Sequence, residues 1–98
     1  MQVQPQITYR DINHSPQVEE YIQEKIKKLE KFSSQIVSCQ IVLSKDKHHQ
    51  KGPEHYDAHI KLSIPKKELV STQNKTDNLY KSIDDAFDRI RRQLNSDH

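Results

Sequence analysis

The run from Asp77 to Leu94, DNLYKSIDDAFDRIRRQL, constrains the fold more than any other stretch of the chain. Leu79, Tyr80, Ile83, Ala86, Phe87, Ile90 and Leu94 recur at the three-and-four spacing that places side chains on one face of a helix. An amphipathic helix cannot bury that stripe alone, so the rest of the chain has to supply a surface for it. Thr76 or Asp77 can cap its start, because either side chain accepts from an unpaired N–H of the first turn. Arg89, Arg91 and Arg92 lie toward the other end, where the partial negative charge of the terminus favours cations. At about 100° per residue, Lys81, Asp85, Arg89 and Arg92 fall on one flank, and Asp84, Asp88 and Arg91 on the other. A helix with this division can bury its stripe while showing a basic edge to a polyanion.

The surface for that helix is predicted to be a sheet. Val3 to Arg10 alternates as a strand does, with Pro5 confining it to a sheet edge or preceding its paired part. Ser15 is a plausible N-cap and Pro16 suits the first helical position of a helix from Pro16 to Phe32, with Val18, Tyr21, Ile22, Ile26, Leu29 and Phe32 on one face. The second half of that helix is basic: Lys25, Lys27, Lys28 and Lys31. Lys25 projects close to the middle of the apolar stripe, either as a packing compromise that snorkels or as a placed cation. Gln35 to Lys45 reads as a half-buried strand with Val37, Cys39, Ile41 and Leu43 inward, and Asp46 to Glu54 as a loop by its Gly-Pro pair and charge. His55 to Ile64 alternates cleanly, Pro65 to Lys67 turns, and Glu68 to Asn74 returns as a fourth strand.

The order β-α-β-β-β-α predicts an α+β fold, a two-layer sandwich with a four-stranded sheet and both helices on one face, the other face solvated. A ferredoxin-like domain needs a final strand, and only Asn95 to His98 follow the last helix. The layout is that of double-stranded RNA-binding domains, which read RNA by shape and phosphate contacts. Ninety-eight residues with a single glycine fit one domain.

Composition narrows the function. The formal net charge is only +2, so any polyanion site must come from local clustering of the 16 Lys and Arg residues. Lone Cys39 lies inside an apolar run and has no partner for an internal disulfide, which points to a reducing compartment. No run approaches the roughly 20 apolar residues that span a bilayer, and nothing resembles a signal peptide, so a cytoplasmic location is expected. His48, His49, His55 and His59 invite a metal reading, but His55 and His59, on one strand face, stand roughly 13 Å apart, too far for one metal ion. With one cysteine and no ligand pair at helical spacing, no metal site or cofactor is expected. Phosphate loop, nucleophile elbow and activated thiol are all missing, so the chain does not read as an enzyme with a small-molecule substrate. What remains is the basic cluster: Lys25, Lys28 and Lys31, Lys45 and Lys47 after the second strand, and Arg89 and Arg92. If the helices lie side by side, these form a ridge that contacts phosphates without reading bases. The competing reading is a protein-interaction module using the open sheet face with Asp57, His59 and Lys61.

Several stretches, taken in order, resemble the ribosome hibernation-promoting factor and ribosome-associated inhibitor A family. They are the strand ending in Ile7 and Thr8, the helix text EKIKKLEKF (Glu24 to Phe32), the strand IVLSK (Ile41 to Lys45) and the helix DNLYKSIDDAFDRIRRQL. Within the last, Asp77 and Asn78, Leu79 and Tyr80, Ile83 and Asp84, Arg89, and Arg92-Gln93-Leu94 match the family's pattern, with Asn78 in place of one usual acid. The resemblance implies binding to the rRNA of the small ribosomal subunit, in the channel for messenger RNA and transfer RNAs, so that translation is blocked and idle ribosomes are preserved in stationary phase or stress. It carries Lys25, Lys28, Lys31, Lys45, Arg89 and Arg92 over as basic contacts, with Tyr80 near the start of the last helix. The absence of a long tail or dimerising domain implies the family's short class, which favours paired inactive ribosomes, usually alongside a separate ribosome modulation factor.

Overall fold

The computed structural model describes residues 4–32, 35–46, 55–72 and 74–96. Its elements are β1 (Gln6–Arg10), α1 (Pro16–Phe32), β2 (Ser38–Asp46), β3 (His55–Ile64), β4 (Lys67–Ser71) and α2 (Leu79–Ser96). The strands form one mixed sheet in the order β1-β2-β3-β4. β1 and β2 are parallel, which makes α1 the crossover that parallel neighbours require, and the other two pairings are antiparallel. Two strand reversals, β2 to β3 and β3 to β4, therefore leave β4 parallel to β1, so that α1 and α2 run in the same direction with both N-termini at the end of the sheet where β1 and β2 finish and β3 begins.

Period-two patterning sorts the faces. Cys39, Ile41 and Leu43 of β2, Ala58, Ile60, Leu62 and Ile64 of β3, and Leu69 of β4 point at the helices and are buried. Register stacks them in rows, Ile7 beside Ile41 beside Ile60, and Cys39 beside Leu62 beside Leu69. Val18, Ile22, Ile26 and Leu29 of α1 and Ile83, Ala86, Phe87, Ile90 and Leu94 of α2 close the core from above. Burial of each such Leu, Ile or Phe contributes about 1.5–3 kcal/mol, which is how a chain of modest apolar content holds two helices on one sheet. The Cys39 thiol is pushed up to about 12 by burial, as suits a small core hydrophobe.

Several boundaries differ from expectation for identifiable reasons. β1 starts after Pro5, which has no N–H for the ladder. Val37 is exposed and Ile36 buried, the reverse of the alternation extrapolated from β2, because the ladder begins only at Ser38 and Val37 is held by its N–H to Ser63 O at 2.7 Å. β4 ends at Ser71. Asn74 then turns inward: its amide nitrogen donates to Ala58 O at 2.8 Å and Ser71 Oγ at 3.1 Å, while its backbone N–H donates to Asp57. Ser15 caps α1 by accepting from Val18 N–H at 3.3 Å. α2 begins later than expected and is capped by Asn78, whose Oδ1 accepts from Tyr80 N–H at 2.9 Å and Lys81 N–H at 3.3 Å. Thr76 braces that cap instead, donating to Asn78 O at 2.6 Å. The expected place of Val3 in the first strand and the Phe32 side chain lie outside the described residues.

Candidate nucleic-acid interface

α1 lies against the flank of α2 that carries Asp84, Asp88 and Arg91. Lys25 Nζ is 2.8 Å from Asp84 Oδ1, and Tyr21 donates its hydroxyl to the same oxygen at 2.5 Å. Tyr21 and Tyr80 meet edge to face with centroids 5.0 Å apart, and the Lys25 ammonium stands 5.3 Å from the Tyr21 ring centroid. Lys25 is thus a placed cation and not merely a snorkelling one. Partial burial works to raise the Asp84 carboxyl, yet Lys25, the Tyr21 hydroxyl and nearby Lys28 together hold it below the ordinary carboxylate range. The hydrogen bond to Asp84, then burial and the charge of that carboxylate, push the Tyr21 phenol up to about 12.

Beyond this latch the helices part around a groove of about 600 Å³ lined by Lys25, Lys28, Leu29, Asp84, Asp85, Phe87, Asp88 and Arg91. Because the helices are parallel, residues at the C-terminal half of one face those at the C-terminal half of the other. Lys28, Lys31, Arg91 and Arg92 therefore gather at one end of the helical layer. Arg91 and Arg92 both reach Asp88, at 3.1 and 2.9 Å, and remain largely exposed, with side chains 61% and 75% accessible. Ion pairs this exposed are screened and leave their cations open to a competing phosphate.

The predicted cationic set is accordingly split. Lys28, Lys31 and Arg92 share the C-terminal end, and Lys25 joins them along the groove, already paired. Tyr80 stands at the opposite end, packed on Tyr21. Lys45 is there too, paired in register with Tyr56, whose carbonyl receives the Ser82 hydroxyl of the first turns of α2. Arg89 is on the far flank of α2, its Nη1 3.5 Å from Thr72 O beside β4. Lys47 lies outside the described residues, as do His48 and His49. Arg91 is the cation that the ridge had omitted; its spacing of seven from Asp84 and three from Asp88 places it on the flank that turned out to face α1. On the open sheet face, His59 pairs with Asp57 at 3.0 Å and Lys61 with Glu68 at 3.4 Å. No helix among the described residues is long and apolar enough to cross a membrane.

With this fold and cationic end established, comparison with known proteins decides the family. The profile of the sigma 54 modulation protein / S30EA ribosomal protein family matches residues 6–98. The chain belongs to that family. It is 33% identical over 95 residues to the ribosome hibernation promoting factor of Acinetobacter guillouiae, covering 91% of this chain and 83% of the relative. It is 27% identical over 89 residues to ribosome-associated factor Y of Haemophilus influenzae, covering 91% and 77% respectively. Among solved structures, the N-terminal domain of Protein Y from Thermus thermophilus superposes with a TM-score of 0.81 at 20% identity, over 100% of both chains. A ribosomal subunit interface protein from Coxiella burnetii gives 0.80 at 17% identity, over 94% of this chain and 93% of that one. At those identities the structural likeness concerns the S30EA fold alone, which is the mixed four-stranded sheet with two helices described above.

Proposed function

We propose that this S30EA family member is a cytoplasmic ribosome-associated silencer, a non-enzymatic binding domain that docks on small-subunit rRNA in the channel for messenger RNA and transfer RNAs. Occupation of that channel blocks translation and preserves idle ribosomes under stress and in stationary phase, with a separate ribosome modulation factor as the candidate partner in ribosome pairing. Membership of a family whose relatives bear ribosome-associated names carries this reading. The gathering of Lys28, Lys31, Arg91 and Arg92 at one end of the helical layer supplies its physical basis. Cations there meet phosphates by charge alone, since Tyr80 is the half-exposed ring of α2 and Phe87 is buried, leaving little surface for stacking bases. Lys25 joins them along the groove, Lys45, Tyr80 and Arg89 stand as outlying contacts reached only by RNA that wraps beyond this end, and Lys47, outside the described residues, is kept as a proposed contact.

The test is co-sedimentation with purified small subunits across a salt series. Four neutralised phosphates give a log–log slope of about −3 to −4, from roughly −0.7 to −0.9 per contact. Lys28→Glu with Arg92→Glu should reduce the slope by about 2 and weaken binding at every salt concentration. Unchanged binding by that variant would remove the cationic end from the mechanism. The open sheet face is the weaker docking surface for a polyanion, because Asp57 and Glu68 stand beside His59 and Lys61 and leave no cationic cluster there.

A further inference from the structure

β4 is an edge strand, and such an edge offers a row of N–H and C=O groups with which another extended chain can pair. The β3–β4 hairpin closes on two residues, Pro65 and Lys66, with Ile64 opposite Lys67. Lys67, Leu69 and Ser71 therefore turn their backbone groups toward β3, and Glu68, Val70 and Thr72 turn theirs outward. Two of those outward carbonyls are engaged by α2. Gln93 Nε2 donates to Val70 O at 2.9 Å, and Arg89 Nη1 reaches Thr72 O at 3.5 Å. The spacing is matched: residues four apart on a helix are about 6 Å apart along its axis, and carbonyls two apart on a strand are roughly 6.6 Å apart.

We propose that Arg89 and Gln93 form a clasp that closes the β4 edge against pairing with a second copy of this chain. A second copy is the occupant the strand itself fits. Antiparallel pairing about a two-fold axis through Val70 sets Val70 against its own equivalent and Glu68 against Thr72, so no like charges are opposed. Val70 is 50% exposed on this edge and would gain apolar contact from its equivalent. The hydrogen bonds of that pairing would be accepted by Glu68, Val70 and Thr72 carbonyls, and the clasp holds the second and third of these. Arg89 is on this view a positioning residue for the sheet edge. The inference does not rest on the ribosome reading, because it concerns the free protein.

The experiment is light-scattering mass across a concentration series, with amide hydrogen exchange read at Val70 and Thr72. Wild type should hold the monomer mass of 11.6 kDa. Arg89→Ala with Gln93→Ala should double that mass as concentration rises, slow exchange at both amides, and return to monomer when Val70→Lys is added, since an edge lysine opposes strand pairing. Should the double variant fail to fold, Gln93→Glu alone keeps α2 and sets a carboxylate against Val70 O, and it should pair in the same way. A folded variant that stays monomeric, one that dimerises without protecting these amides, or a wild type already paired through β4 would each overturn the clasp.

Discussion

Replacing half-buried Asp84 with alanine should loosen the two helices, and the cost can be worked from its partners. The Tyr21 hydroxyl at 2.5 Å makes a hydrogen bond to a charged acceptor, worth about 1.5–3 kcal/mol. The Lys25 pair is less, because its side chains are 26% and 44% accessible, and pairs of that exposure contribute about 0–1 kcal/mol. Asp84→Ala should therefore lose about 2 kcal/mol, equivalent to a fall in Tm of roughly 10 °C for a domain of this size. Tyr21→Phe should account for most of it and Lys25→Met for little, with the two coupled because they share one oxygen. The folded-state pKa of Asp84 lies below the unfolded value of about 3.9. Its contribution is thus complete above that pH and fades as pH falls through the folded value, so wild type and Asp84→Ala should converge in acid. Tyr21 has the opposite sign: its contribution is complete below about pH 10 and is lost as pH rises toward the folded value of about 12. Urea denaturation of the three variants over pH, with tyrosinate absorbance for Tyr21, is the assay. A loss under about 0.5 kcal/mol for Asp84→Ala, or a larger loss for Lys25→Met than for Tyr21→Phe, would refute the assignment.

Three further outcomes can be checked by similar means. Asn78→Ala should cost about 1 kcal/mol by urea denaturation while Asp77→Ala changes stability by only a few tenths, because Asn78 accepts the first-turn amides. Lys66 sits at φ 69° after Pro65, so Lys66→Gly should leave stability unchanged or raise it by up to about 1 kcal/mol, the relief of left-handed strain exceeding the added chain entropy. Cys39, 1% exposed and raised to about 12, should react with a disulfide reagent only at the rate at which the domain opens, so labelling should accelerate with denaturant; fast labelling of folded protein would refute its burial.

The periodicities that make elements were legible in the residues, because a stripe at three-and-four spacing or an alternation at two is a local property. Val18, Ile22, Ile26 and Leu29 could be placed on the buried face of α1 without knowing what covers them, and so could Ala58 to Ile64 on β3. Caps and strand ends were less legible. Thr76, Asp77 and Asn78 are all competent N-caps, and the choice falls on Asn78 only because Thr76 is drawn back to β3 by its bridge to Tyr56. The cationic site was legible as a set of residues but not as an arrangement. Helical spacing had put Arg89 and Arg91 on opposite flanks of α2; which flank meets α1 depends on how the helices sit on the sheet.

That dependence has a consequence for charge. In a β-α-β-β-β-α sheet whose first two strands are parallel, the helices must run the same way, so their C-terminal dipole ends, each partially negative, lie side by side. Lys31, in the last turn of α1, offsets the dipole end of that helix, while Arg91 and Arg92 lie before the last turn of α2. Asp88 stands among these cations and is reached by both arginines, while Asp84, nearer the helix starts, is held by Lys25 and the Tyr21 hydroxyl. A phosphate entering there competes with Asp88 for two arginines that water already reaches. The same flank choice that spends Asp84 on holding α1 to α2 leaves Arg89 facing β4. One rotation of α2 therefore sets which cations are offered to a polyanion and which are turned to the sheet edge.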